Sequence, residues 1–136
     1  MENARKIADS IVPFYGKAAG DKLFGLLAEH FGAVKSYMTA AYAKDKAGME
    51  NARNGLIGNA ETIAVFLSSA NPTNWPKDTL NTLLMSHGAH HISQINAVEN
   101  KDFASEAQIW DAMKEHMNTI ADALSAGIAK QFPNKV

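Results

Sequence analysis

Apolar residues recur every three to four positions along four long stretches of the chain, with polar residues between them. This spacing places the apolar side chains on one side of an α-helix. The pattern predicts helices at residues 21–44, 49–70, 76–98 and 103–132. A shorter apolar repeat at 2–12, ended by Pro13, predicts a short N-terminal helix. We therefore expect one all-α domain spanning residues 1–136, without β-strands.

The stretches between these helices are short and polar. Residues 68–76 hold two prolines together with Asn, Thr and Ser, which is typical of a loop. We expect Asn74 or Thr73 to cap the next helix, with Pro76 tolerated in its first turn. Long helices joined by short connections run antiparallel to their neighbours. The predicted fold is therefore an up-down-up-down antiparallel four-helix bundle with a short N-terminal helix.

Two histidines occupy the apolar side of the third long helix, where a core would hold leucine. His87 and His91 are one turn apart and point the same way. Counting heights across antiparallel helices brings His30 and His116 to the same level, with Asn59 on the flank of the second helix. Buried imidazoles need partners for both ring nitrogens and cannot all be charged in a dry interior. The sequence therefore predicts a metal site formed by His30, His87, His91 and His116.

The expected cofactor is one transition metal ion, which could be Zn, Fe, Ni, Co or Cu. The chain has no cysteine, and no carboxylate is central on an apolar face, so the ligands are imidazole nitrogens. The Glu-x-x-His pairs of di-iron carboxylate bundles are absent. We expect Asn59 and Tyr37 beside the ligands. Metal-activated water would be the reactive species of an enzyme, but the sequence leaves open whether the protein is one.

A structural interpretation stays open beside the metal site. The same histidines can form a polar layer that fixes the register of the helices. The protein would then be a non-catalytic structural or interaction bundle, with a groove for a partner helix or a self-dimer. A small apolar ligand in the bundle centre is a third interpretation.

Composition and charge argue against two classes of binding partner, nucleic acids and membranes. The net charge is −1 and the pI is near 6.5, with lysines spread along the chain, so no basic patch favours nucleic acid or an anionic membrane. No stretch approaches the roughly 18 apolar residues of a membrane span, and the first residues lack the apolar core of a signal peptide. We expect a soluble, cytoplasmic protein without nucleic-acid or membrane partners. The sequence does not identify a small-molecule ligand.

Several stretches, spread along nearly the whole chain, resemble a family of uncharacterised bacterial all-helical bundle proteins. The matching segments are 13–16 (PFYG), 26–30 (LLAEH), 59–64 (NAETIA), 66–68 (FLS), 71–72 (NP), 75–76 (WP), 84–87 (LMSH), His116, 121–125 (ADALS), 127–128 (GI) and 131–133 (QFP). Some proteins similar to this one are labelled glycosyltransferase or acetylglutamate kinase. This chain has neither a glycine-rich phosphate loop nor a nucleotide-sugar motif to support those labels.

This chain departs from the family it resembles at two points. Where the family usually has Thr and Glu after the position of His87, this chain has His91 and Gln94, so Gln94 joins the residues expected around the metal. Family members tend to carry an earlier helix with its own His and Trp. The resemblance therefore implies that Met1 is an internal residue of a longer protein, with a further helix and any export signal upstream.

Overall fold

A computed structural model describes residues 1–135, which contain helices, turns and loops but no β-strand. The all-α prediction is confirmed. The helices of the described chain are α1 (Glu2–Ser10), α2 (Val12–Tyr15), α3 (Lys17–Tyr42), α4 (Lys46–Ala70), α5 (Lys77–Glu99) and α6 (Phe103–Gln131). Within residues 1–135, no helix combines the length and the apolar character needed to cross a bilayer.

The N-terminal region differs from the prediction. Pro13 does not end a helix there; it lies in the first turn of α2, where its missing N–H costs no helical hydrogen bond. The chain changes direction at Gly16, whose φ of 85° is unfavourable for other residues. Consequently α3 begins at Lys17, one turn before the predicted start at Asp21.

The loop before α5 also differs from the prediction. No side chain caps α5, which follows Pro76 directly. Asn74, a predicted cap, instead donates from Nδ2 to Oδ1 of Asn71 at 2.8 Å. Asn71 is 1% exposed and its own Nδ2 donates to the carbonyl of Gly127 in α6 at 2.9 Å. The loop therefore holds α6 against the rest of the protein.

Trp75 fills the core at this end of the molecule. Its side chain is 2% exposed and packs with Leu26 and Ile63, and its ring lies 5.7 Å from that of Tyr15. The indole also lies directly against the backbone of Gly127, where a Cβ atom would overlap it. Glycine at this position thus permits the close approach of α6 to the loop.

The long helices pack in chain order, α3 against α4, α4 against α5 and α5 against α6, while α3 also contacts α5 and α1 lies against α3. A second apolar cluster surrounds the buried Tyr37, with Ala41, Ala52 and Ile95. Along α3, His30 lies between this cluster and the Trp75 cluster. The predicted histidine site therefore lies near the middle of α3.

Large apolar side chains stay exposed along α3 and α6. Phe31 is 54% exposed on α3, and Trp110 is 48% exposed on α6. These faces are thus incompletely covered within the described residues. That a partner helix or a second copy of the chain covers them stays a prediction.

Candidate metal centre

Three histidines from two helices converge between α3 and α5. His30 comes from α3, and His87 and His91 come from successive turns of α5. One ring nitrogen from each residue lies within 4.8 Å of the other two. The Nε2 atoms of His87 and His91 are 3.1 Å apart. Among residues 1–135, this is the one group of three or more histidine or acidic side chains that could share an ion.

The helices explain this convergence. His87 and His91 are four residues apart, so one face of α5 presents both rings with their centroids 4.5 Å apart. His30 lies four residues after the buried Leu26, on the side of α3 that packs against its neighbours. Its ring centroid is 5.4 Å from each of the other two. The contact between α3 and α5 thus completes the group.

Two ring nitrogens of the group are buried without a hydrogen-bond partner among the described residues. They are Nε2 of His30 and Nδ1 of His87. Asn59 lies beside the group; its Nδ2 donates to the carbonyl of Leu26 at 2.9 Å, while its buried Oδ1 has no partner. Buried polar atoms in proteins nearly always have a hydrogen-bond partner. The rings of His87 and His91 bond to each other through their Nε2 atoms, which are 3.1 Å apart, and Asn59 approaches His30, so the bonding capacity of the group is filled only in part.

Burial keeps all three imidazoles neutral at ordinary pH. Desolvation lowers the pKa of His30, with a smaller opposing effect from Asn59. Desolvation, followed by the neighbouring imidazoles, lowers the pKa of His87 to about 3. The same causes lower the pKa of His91 to about 4. Neutral imidazole is the form that binds metal ions, so no proton has to leave before an ion enters.

His116 lies outside the group of three. It contacts α5 at Leu83, four residues before His87. Its Nε2 donates to the carbonyl of Leu83 at 2.8 Å, and its ring packs 5.4 Å from that of His90. His116 thus binds the turn of α5 that precedes His87. Its nitrogens are not part of the group formed by His30, His87 and His91.

Two of the residues predicted to surround the ligands bond elsewhere. The hydroxyl of Tyr37 donates to Oδ1 of Asn96 at 3.2 Å. Nε2 of Gln94 donates to Oε1 of Glu106 at 2.7 Å and so joins α5 to α6. Of the three predicted neighbours, Asn59 is the one that affects a histidine of the group.

The spacing of the nitrogens suits a first-row transition metal. Zinc–nitrogen bonds of about 2.0–2.1 Å give a nitrogen–nitrogen separation of about 3.3 Å in a tetrahedral site and about 2.9 Å between adjacent octahedral ligands. The 3.1 Å between His87 and His91 falls between these values. The His30 nitrogen lies within 4.8 Å of the other two, so it would have to come closer to them to share an ion. Three protein nitrogens leave at least one coordination position for water or another ligand.

Comparisons of this chain with protein-family models, with curated proteins and with solved structures found no significant match. The resemblance to a bacterial bundle family therefore stays a prediction. The function has to be argued from the geometry of the site.

Proposed function

We propose that this helical protein binds one transition metal ion through His30, His87 and His91. The observation that carries the proposal is the convergence of three imidazole nitrogens within 4.8 Å of one another. The protein supplies the ligands as neutral side chains on helices, and it leaves a coordination position for an exchangeable ligand. Nitrogen ligands without thiolates or carboxylates favour Zn, Fe, Ni, Co or Cu over Mg or Ca.

The unfilled bonding capacity of the group supports the same proposal. Nε2 of His30 is buried without a partner, which costs about 1–3 kcal/mol in a folded protein. An ion bound at the group would accept the lone pair of His30 Nε2, whereas Nδ1 of His87 would carry the proton of a ring that binds through Nε2. The proposal is limited to metal binding, because the group itself contains no carboxylate that could act as a general base.

Metal titration of the metal-free protein tests the proposal. We expect one Zn²⁺, Co²⁺ or Ni²⁺ per chain, with a rise in melting temperature because the ion binds only the folded state. His30→Ala and His91→Ala should each weaken binding by roughly a hundredfold or more, since each removes a direct ligand. His90→Ala is the matched control, because His90 lies on α5 outside the group, and it should bind like wild type.

The alternative, a polar layer that only fixes register, gives a different result in the same experiment. It predicts no bound Zn, Co, Ni, Cu or Fe and no thermal shift with any of them. It also predicts that His91→Leu destabilises the metal-free protein. Our proposal predicts that this variant loses the ion, whereas the metal-free fold is unchanged or more stable because a desolvated imidazole is gone.

We also infer that α3, α4, α5 and α6 run up-down-up-down as a four-helix bundle. Connections of three residues at 43–45 and 100–102 support this arrangement, since such short loops join antiparallel neighbours. The packing of each long helix on the next in the chain agrees with antiparallel neighbours, and the contact of α3 with α5, in place of an extensive contact of α3 with α6, makes the bundle an open one within the described residues. Interhelical nuclear Overhauser effects would contradict the inference if they paired the starts of consecutive helices.

A further inference from the structure

A cavity of about 280 Å³, half open to solvent, lies between α4 and α5 and is lined by residues outside the three-histidine group. Its walls are largely apolar, with Leu56 from α4 and Leu84 and Ile92 from α5. Leu56 is 4% exposed, so the cavity reaches down to the core. Arg53 stands at its edge as the single charged residue of the lining.

Arg53 has an exposed side chain and no ion pair within residues 1–135. It also lines an adjoining depression together with Lys46 and Glu50. Glu50 lies one turn before Arg53 on α4 but does not come within ion-pair distance of it. The edge of the cavity therefore carries a guanidinium group whose five donors are free to bind an anion.

On the α5 side, the absence of a side chain at Gly88 leaves space for the cavity. A Cβ atom at this position would meet no atom within 4 Å. Glycine inside a helix costs about 1 kcal/mol relative to alanine, and packing of neighbouring helices does not require it here. A side chain at Gly88 would instead project into open space that the cavity shares.

We propose that this cavity binds a small carboxylic acid with a compact apolar body. The carboxylate pairs with Arg53, and the hydrocarbon packs against Leu56, Leu84 and Ile92. A cavity of about 150 Å³ holds one benzene molecule, so about 280 Å³ holds roughly eleven non-hydrogen atoms. A straight-chain acid of about eight carbons has this size. The inference is independent of the metal site, because none of the three histidines lines the cavity.

Binding of octanoate, compared with its neutral counterpart 1-octanol, tests the proposal by calorimetry and by amide chemical shifts. We expect wild type to bind octanoate more tightly than octanol, with the largest shifts at 84–92. Arg53→Gln should weaken octanoate roughly tenfold and leave octanol unchanged, because only the acid pairs with the guanidinium. Lys22→Gln, the same charge change on an exposed residue of α3, should leave both affinities unchanged.

Gly88→Leu fills the cavity and should abolish binding of both compounds. The matched control is Gly32→Leu on α3, where a Cβ atom also meets nothing within 4 Å; it should bind like wild type. The proposal is overturned if octanol and octanoate bind equally, if Arg53→Gln weakens both alike, or if Gly88→Leu binds like wild type. A dissociation constant for octanoate above about 10 mM overturns the proposal as well, because a site that fits the ligand should bind it more tightly than that.

Discussion

Acidification should destabilise the metal-free protein through its buried histidines. In the folded state the pKa is about 3 for His87 and about 4 for His91, against about 6.5 for histidine in an unfolded chain. Between these values the unfolded chain binds protons that the folded chain does not bind. The free energy of unfolding therefore falls as the pH falls through this window. Well above pH 6.5 neither state is protonated, and the effect disappears.

The size of the loss follows from the same pKa values. Going from about pH 7.5 to about pH 5 costs about 2 kcal/mol for each of the two residues if they titrate independently. Their Nε2 atoms are 3.1 Å apart, so they titrate as a coupled pair, and we expect about 2–4 kcal/mol in total. His30 acts in the same direction, because burial also lowers its pKa. For 136 residues this loss lowers the melting temperature by about 7–14 °C.

Urea unfolding of chelator-treated protein at several pH values between about 5 and 7.5 measures this loss. The double variant His87→Leu/His91→Leu lacks both titrating groups and should show a much flatter dependence than wild type. His90→Leu, on the same helix but outside the group, removes only a minor cause of the lowered pKa values and should keep most of the wild-type slope. The lowered pKa values of Asp21 and Asp102 place their titration below this window. Parallel slopes for wild type and the double variant would refute the reasoning.

Urea midpoints of four further variants test the packing and the capping. Gly127→Ala should destabilise the protein by about 1–3 kcal/mol, because its Cβ overlaps the indole of Trp75. Gly58→Ala, whose Cβ meets open space, should instead stabilise it by up to about 1 kcal/mol, and equal midpoints for the two would contradict the contact. Asn71→Ala should cost about 0.5–1.5 kcal/mol, since it removes the buried hydrogen bond from the Asn71 side chain to the Gly127 carbonyl. Asp102→Ala should cost about 1 kcal/mol by removing the cap of α6, and a loss below about 0.3 kcal/mol would argue against that cap.

The sequence predicts the long helices well because their signal is local and periodic. Apolar spacing places the boundaries of α4, α5 and α6 within a few residues of those observed. The grouping of His30 with His87 and His91 follows from the same periodicity. Once short loops force neighbours to be antiparallel, residue counting sets the heights, and the helical wheel sets the directions.

The sequence does not predict contacts in which the partner is backbone. His116 is predicted at the height of His87, whereas its ring binds the carbonyl of Leu83, an acceptor that no side-chain pattern reveals. The close approach of Trp75 to Gly127 is equally invisible, because it depends on the absence of a side chain in a helix far along the chain. Helical periodicity does not predict the cavity at Arg53 either. Arg53 is exposed, and an exposed polar position adds nothing to the apolar repeat from which the helices are predicted.

The two tryptophans occupy opposite environments, since Trp75 is 2% exposed in the core and Trp110 is 48% exposed on α6. Their fluorescence therefore separates into a blue, shielded emission and a red emission that iodide can quench. A Trp110→Phe protein would report through one indole on the junction of the α4–α5 loop with α6. Loss of that junction would then be visible as a spectral shift, even while circular dichroism still recorded intact helices.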